Sequence, residues 1–332
     1  MCSFPYENQF LTTRNPNAGV PQTSIIGLII YFPSVTIFVR RLMAVTVMGA
    51  VLVGCGSGSA PDKASPDRTG AASPQPGNPL DGIAKKAPTM APGPGGLTPV
   101  FERGLRPAAA AKAEKTVALT FDADMTADQG PRAAEGERFD NPALISSLRR
   151  LNVPSTVFMT GRWAEEYPDQ TKAIGNDPLF EIANHSYSHY AFTSPCYDLP
   201  TIGRNDMRAD VDRAFTAFRK AGARNVVPYF RFPGGCYNDT ALREIAPAKM
   251  TAVQWDVISG DAFTTDADAV AQQVLAEVQP GSVVVMHCTR SAAPVTEEAI
   301  TQIVPELRER GYRFVKVSEL MRGAPTERGG RG

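Results

Sequence analysis

From Lys115 onward, short apolar runs alternate with stretches whose apolar positions recur every three or four residues. Thr116-Val117-Ala118-Leu119-Thr120-Phe121 reads as a strand delivering Asp122 at its C-terminal end. The polar stretch from Ala127 to Glu137 reads as a long loop. Pro142 to Leu151 reads as a helix with Leu144, Ile145, Leu148 and Leu151 on one face. Thr156 to Met159, stopped by Gly161, and Phe180 to Ala183 are further strands. Asn205 to Ala221 is a helix with Met207, Val211, Phe215 and Phe218 as its buried stripe, ended by Gly222. Val226 to Phe230 and Met250 to Trp255 are strands, and Thr265 can cap a helix carrying Val270, Val274 and Val278. Gly281 to Met286 is a strand ending at His287. Thr296 to Arg310 is helical with an expected kink at Pro305, and Tyr312 to Val317 is a last strand.

Strands of this length alternating with helices predict a parallel α/β fold in a single domain of residues 115–322. The ionisable residues fall just after the strands, the face on which α/β barrels build their sites. Alternation gives the fold class; it does not by itself close a barrel.

Upstream the pattern changes. An apolar segment from Ile25 to Val39, interrupted by Pro33, is followed by Arg40-Arg41 and a second apolar run, Leu42 to Val53. A positive region, a short apolar run and small residues make a secretory signal. Leu52-Val53-Gly54-Cys55 resembles a bacterial lipobox, which implies lipidation of Cys55 and an extracytoplasmic, membrane-anchored or secreted protein. The alternative, one transmembrane anchor from Ile25 to Val53, would place two arginines in the span. Residues 1–55 are therefore expected to be an extension and signal segment, and 56–114, rich in Gly, Pro, Ser and Ala, a flexible tether. Residues 323–332 are expected to be a disordered tail.

Composition adds exclusions. Lys+Arg and Asp+Glu balance at 34 each, so no basic field argues for a nucleic-acid partner. The five cysteines (Cys2, Cys55, Cys196, Cys236 and Cys288) contain no CxxC pair, which disfavours a structural zinc cluster.

The chemistry begins with scarcity. The chain has three histidines, and His185 and His189 sit four apart, a spacing that places both imidazoles on one face of a helix. The third, His287, closes a strand. Asp122, Asp124, Arg231, Asp256 and Asp261 also follow strands. Two imidazoles and a carboxylate, with a position left for water, is the ligand set of a catalytic zinc-type site. A second carboxylate can act as base and a separate histidine as acid.

Taken in order, Thr120-Phe121-Asp122, His185-Ser186-Tyr187-Ser188-His189, Arg231-Phe232-Pro233-Gly234-Gly235, Trp255-Asp256 through Asp261, and Met286-His287 resemble the five motifs of the polysaccharide deacetylases. This is the NodB homology domain, carbohydrate esterase family 4. The resemblance implies a distorted (β/α) barrel of the NodB type forming a single catalytic domain. It implies a divalent metal, zinc first and cobalt or nickel as alternatives, held by His185 and His189. It makes Asp122 the general base, Arg231 its partner, His287 the general acid and Asp261 the carboxylate that orients it. Gly234 then supplies a backbone N–H to the tetrahedral oxygen. The implied substrate is an acetylated polysaccharide, with N-acetylated amino sugars of peptidoglycan or a related glycan first. The alternatives are O-acetyl esterase activity on a xylan-like polymer and a non-catalytic carbohydrate-binding relative. A monomer is expected.

Two departures stand out. The family carries two adjacent aspartates, whereas this chain reads Asp122-Ala123-Asp124. Asp124 either completes the metal site or leaves the ion to the two histidines and water. Ala262 stands where the family has a tryptophan, removing an aromatic wall from the pocket. Asp256 is expected to be structural. Trp163 and Tyr167 are candidates for either a sugar subsite or helix packing, and Trp255 for core or pocket wall. Cys196 and Cys236 follow the second and third motifs, near one rim, and are expected to pair in preference to a pairing with Cys288. A nucleophilic Cys288 is the sharper alternative for that residue.

Overall fold

The computed structural model describes residues 87–105 and 114–322. The signal segment, Cys55, the rest of the expected tether and the C-terminal tail lie outside these residues. Among the described residues nine strands form one sheet: β1 (Val100–Phe101), β2 (Lys115–Ala123), β3 (Ser155–Met159), β4 (Phe180–Asn184), β5 (Val226–Phe230), β6 (Thr251–Val253), β7 (Val257–Ile258), β8 (Ser282–His287) and β9 (Tyr312–Phe314). They run in the order β1-β6-β5-β4-β3-β2-β8-β7, with β9 also on β2, and every pairing is parallel. Among the described residues β1 and β7 do not pair, so the sheet curls into a half-barrel. The helices are α1 (Gly130–Ala134), α2 (Pro142–Arg150), α3 (Gly161–Glu166), α4 (Pro168–Gly175), α5 (Met207–Ala221), α6 (Asp239–Ile245), α7 (Ala267–Glu277), α8 (Thr296–Glu309) and α9 (Val317–Arg322). None is long and apolar enough to cross a membrane.

Strand periodicity sorts the side chains into two cores. On β2, Val117, Leu119, Phe121 and Ala123 join the large outer core with the helices, while Ala118 belongs to a smaller inner one. The inner core gathers Phe158, Ala183, Val227, Tyr229 and Val283, and is closed by Val317, Leu320 and Met321 of α9. Glu181 fixes that closure: its carboxylate accepts from Ser318 N at 3.0 Å and Thr156 Oγ1 at 2.8 Å.

Several elements differ from the reading of the sequence. The expected tether is not all tether. Residues 87–105 pack on the domain: β1 extends the sheet edge, Tyr229 Oη donates to Pro88 O at 2.8 Å and Thr98 Oγ1 to Leu242 O at 2.9 Å. Two strand residues carry no readable period, which is why Gly and Pro composition misled. The stretch after Asp122 folds α1 rather than a continuous loop. The last strand ends at Phe314, and Val317 opens α9 instead. Asp266, not Thr265, caps α7, its side chain accepting from Asp268 N and Ala269 N.

Phe101 is 4% exposed, so Phe101→Ala should cost about 3 kcal/mol of stability, measured by urea unfolding. An unchanged midpoint would mean that residues 87–105 do not belong to the folded unit.

Candidate active site

The site is assembled from the C-terminal ends of four central strands. β2 runs on through Ala123, so alternation turns Asp122 to the concave side, Ala123 into the outer core and Asp124 back to the concave side. Register places Asp122 directly opposite His287 across β2 and β8. β4 delivers His185, and β5 delivers Arg231. Thr289 then fixes Asp124, its Oγ1 accepting from Asp124 N at 2.7 Å.

The two histidines do not lie on a helix. His185 follows β4 directly, and the chain returns His189 to it through a loop with left-handed Ser186 (φ 68°) and His189 (φ 56°). Short polar bonds hold this unusual backbone. Asn184 Oδ1 accepts from Ser186 N at 2.8 Å, Ser186 Oγ from His189 N at 2.9 Å, and Asp210 Oδ2 from Tyr187 N at 2.7 Å. The imidazole centroids end 5.0 Å apart.

Asp124, His185 and His189 offer ligand atoms that all lie within 4.8 Å of one another. Their chemistry fits a cation. His185 Nδ1 lies 2.9 Å from Arg231 O, a pure acceptor, so Nδ1 carries the proton and Nε2 presents a lone pair. That lone pair faces Asp124 Oδ1 at 3.4 Å and Asp122 Oδ2 at 3.7 Å. Burial depresses the proton affinity of His185 despite both carboxylates, and pushes that of His189 down to about 4. Asp124 Oδ1 is itself buried without a hydrogen-bond partner. Burial also raises the Asp124 carboxyl above its usual range, against the pull of His185 and His287. Three potential ligand atoms thus converge with an unsatisfied carboxylate oxygen among them, and a divalent ion would satisfy them together.

Beside this cluster lies a buried ion pair. Arg231 Nη1 donates to Asp122 Oδ1 at 2.6 Å, and Arg231 is fully buried. Its guanidinium also donates to Val253 O at 3.2 Å and stacks 3.8 Å from the Phe158 ring centroid. Burial alone would raise the Asp122 carboxyl, but Arg231, His185 and His287 outweigh it and hold it below the ordinary carboxylate range.

His287 is the opposite case. Its Nδ1 donates to Asp261 Oδ1 at 2.8 Å, and its Nε2 is 3.9 Å from Asp124 Oδ2. Burial would lower its proton affinity, yet Asp261 foremost, with Asp124 and Asp122, raises it to about 10. Asp261 is held in turn by Ser259 Oγ at 2.9 Å, Thr296 Oγ1 at 2.8 Å and His287 N at 2.7 Å. The arrangement therefore keeps an ionised carboxylate and a protonated imidazole together at neutral pH.

Gly234 turns at φ 62°, and a Cβ there would meet Cys196 Sγ at 2.6 Å. Cys196 and Cys236 are joined by a disulfide, Cα to Cα 6.0 Å, leaving Cys288 free. Burial pushes the Cys288 thiol up to about 12, which removes it as a nucleophile. Asp256 accepts from Val283 N at 2.7 Å and pairs with Arg103 at 3.1 Å, tying the sheet edge. Trp163 is wholly buried and donates to Phe139 O at 2.6 Å, so it packs rather than lines a sugar subsite. Trp255 is partly buried, against the inner core. Sequence reasoning missed Thr289, Asn184, Asp210, Ser259 and Thr296. Asn184, Ser259 and Thr289 lie within two residues of His185, Asp261 and His287, whereas Asp210 and Thr296 reach the site from α5 and α8.

Residues 109–253 match the family model described as polysaccharide deacetylase. A chitooligosaccharide deacetylase of Sinorhizobium fredii is 29% identical over 198 residues, 57% of this chain and 86% of that protein. A peptidoglycan-N-acetylglucosamine deacetylase of Bacillus cereus is 28% identical over 205 residues, 61% of this chain and 67% of that protein. A carbohydrate esterase family 4 pseudoenzyme from Bacillus anthracis superposes with a TM-score of 0.55 at 24% identity, covering 71% of each chain, a likeness of fold. Residues 109–253 thus match the polysaccharide deacetylase family, the half-barrel has the fold of the NodB, carbohydrate esterase family 4 type, and the relatives it resembles are hydrolases that act on amide bonds.

Proposed function

We propose that the protein removes acetyl groups from N-acetylated amino sugars of a bacterial glycan, peptidoglycan or a related polymer. The observation that carries this reading is the placement of Asp122, paired with Arg231, directly across from His287, paired with Asp261, beside a three-ligand cluster. Asp124, His185 and His189 would hold a divalent ion, zinc by donor set, which supplies Lewis acidity at the acetyl group. Asp122, kept ionised by Arg231, takes a proton from the attacking water. The backbone N–H of Gly234 donates to the tetrahedral oxygen. His287 then protonates the departing amine nitrogen, a poor leaving group until it gains that proton. The names of the relatives favour amide over ester substrates.

Purified domain supplied with zinc should release acetate from N-acetylglucosamine oligomers or peptidoglycan. His185→Ala should abolish release, and Asp124→Asn should lower bound metal per chain, measured by mass spectrometry. Release only from O-acetylated xylan would convert the reading to an esterase. No release from any acetylated glycan would overturn it.

The pH dependence follows from His287. An acid works while protonated, so activity persists below its pKa and falls as pH rises through about 10. In Asp261→Asn the leading charge that supports the proton is gone and burial prevails, so the alkaline limb should move toward neutral pH by more than a unit. An unmoved limb would remove His287 from the role of acid.

We also propose an extracytoplasmic location through a lipid on Cys55, on the strength of Leu52-Val53-Gly54-Cys55 alone. Mass spectrometry of the mature N-terminus should find a lipidated Cys55 as the first residue; a peptide from upstream of it would overturn this.

A further inference from the structure

Among the described residues, five large hydrophobic side chains are exposed, and only Tyr197 and Phe263 are aromatic. They are also the most exposed, at 64% and 75%, and they face each other with ring centroids 6.3 Å apart and planes at 40°. The chain brings them together from opposite sides of the site. Tyr197 follows the disulfide-bonded Cys196, and its ring borders the oxyanion turn: a Cβ on Gly234 would lie 3.2 Å from Tyr197 Cδ2. Phe263 stands two residues after Asp261, in a tight turn where its N–H donates to Gly260 O at 2.9 Å.

Holding Tyr197 outward is unfavourable for the backbone. Both Tyr197 (φ 43°) and Asp198 (φ 58°) are left-handed, each costing on the order of 1–3 kcal/mol. The Cys196–Cys236 bond and the Leu199 N to Cys196 O hydrogen bond at 2.9 Å impose that turn. Solvating an aromatic ring brings nothing in return, so the strain points to a ligand. Two rings of roughly 200 Å² each fall short of the roughly 800 Å² per side that a stable protein interface needs. They do match a pyranose, whose axial C–H groups give it one apolar face while its equatorial hydroxyls remain polar. Asp198, exposed in the same turn, offers an acceptor for those hydroxyls.

We infer that Tyr197 and Phe263 form a two-ring clamp for a sugar unit of the chain lying next to the one being deacetylated. This rests on the proposed glycan substrate and adds which residues read polymer rather than monosaccharide. The reacting groups are buried around Asp122, and the exposed clamp lies outside them on the rim.

The test compares wild type with Tyr197→Ala/Phe263→Ala on N-acetylglucosamine tetramer and on the monosaccharide. Loss of the clamp should raise KM for the tetramer about tenfold or more, and by severalfold more than any loss on the monosaccharide. Tyr197→Phe/Phe263→Trp, which keeps both rings, should retain the wild-type KM. An unchanged tetramer KM, or an equal loss on both substrates, overturns the clamp. Calorimetric titration of the tetramer separates this from the proposed reaction. If wild type binds the tetramer without releasing acetate and the double alanine variant does not bind, the clamp stands while the deacetylase reading falls. If wild type does not bind it at all, the clamp is overturned.

Discussion

The contact on which the site depends is the buried pair between Arg231 and Asp122. It spans from the end of β5 to the end of β2, so its formation reports that β5, β4, β3 and β2 have assembled side by side. Removing two charges from water costs several kcal/mol per ion, recovered only when the remaining donors and acceptors are satisfied. Arg231 meets that condition with carbonyls of β6 and the loop after it, and with the face of Phe158. Its own carbonyl then fixes the tautomer of His185. One side chain thereby holds the carboxylate ionised, and its backbone aims a neighbouring imidazole lone pair into the cluster. A lysine in its place would keep the charge but lose the fork that reaches several partners at once.

The interruption Asp122-Ala123-Asp124 changes meaning once β2 is seen to continue through Ala123. Adjacent aspartates at the end of a regular strand would point to opposite faces; residues two apart point to the same one. Ala123 fills the outer core, where a small apolar side chain is wanted, and both carboxylates face His185. The departure from the family pattern is therefore compatible with a complete ligand set. What it alters is the path by which Asp124 arrives, with Thr289 after β8 holding the turn.

Much of this was legible in the sequence because strands and helices write their periods into it. The parallel α/β class, the central strands, the α2 and α5 stripes and the residues that follow each strand all came from periodicity and order. Elements too short for a period were not legible: β1 and the packed segment before it read as linker, and α1 as loop. The His185–His189 spacing suggested a pair that the structure does bring together, though not on a helix. Four residues suggested a helix, while the structure uses left-handed Ser186 and His189, a backbone that Asn184 and Asp210 stabilise from outside the motif. Thr296 acts on Asp261 from 35 residues away, and no local pattern announces it.

Two carboxylates close to one cluster have been given opposite tendencies. Asp122 has an arginine and is pulled toward ionisation; Asp124 has none and is pushed by burial toward protonation. The difference is one of partners rather than depth, since both are largely removed from water. A cation at the cluster would settle Asp124 in its charged form and leave Asp122 free of that duty. On the proposed reading, this asymmetry suits the two residues to different tasks, one to hold a ligand and one to exchange a proton. Had Arg231 faced Asp124 instead, the same residues would have presented a satisfied ion pair and no electron-rich pocket, and the half-barrel would have kept its fold without its chemistry.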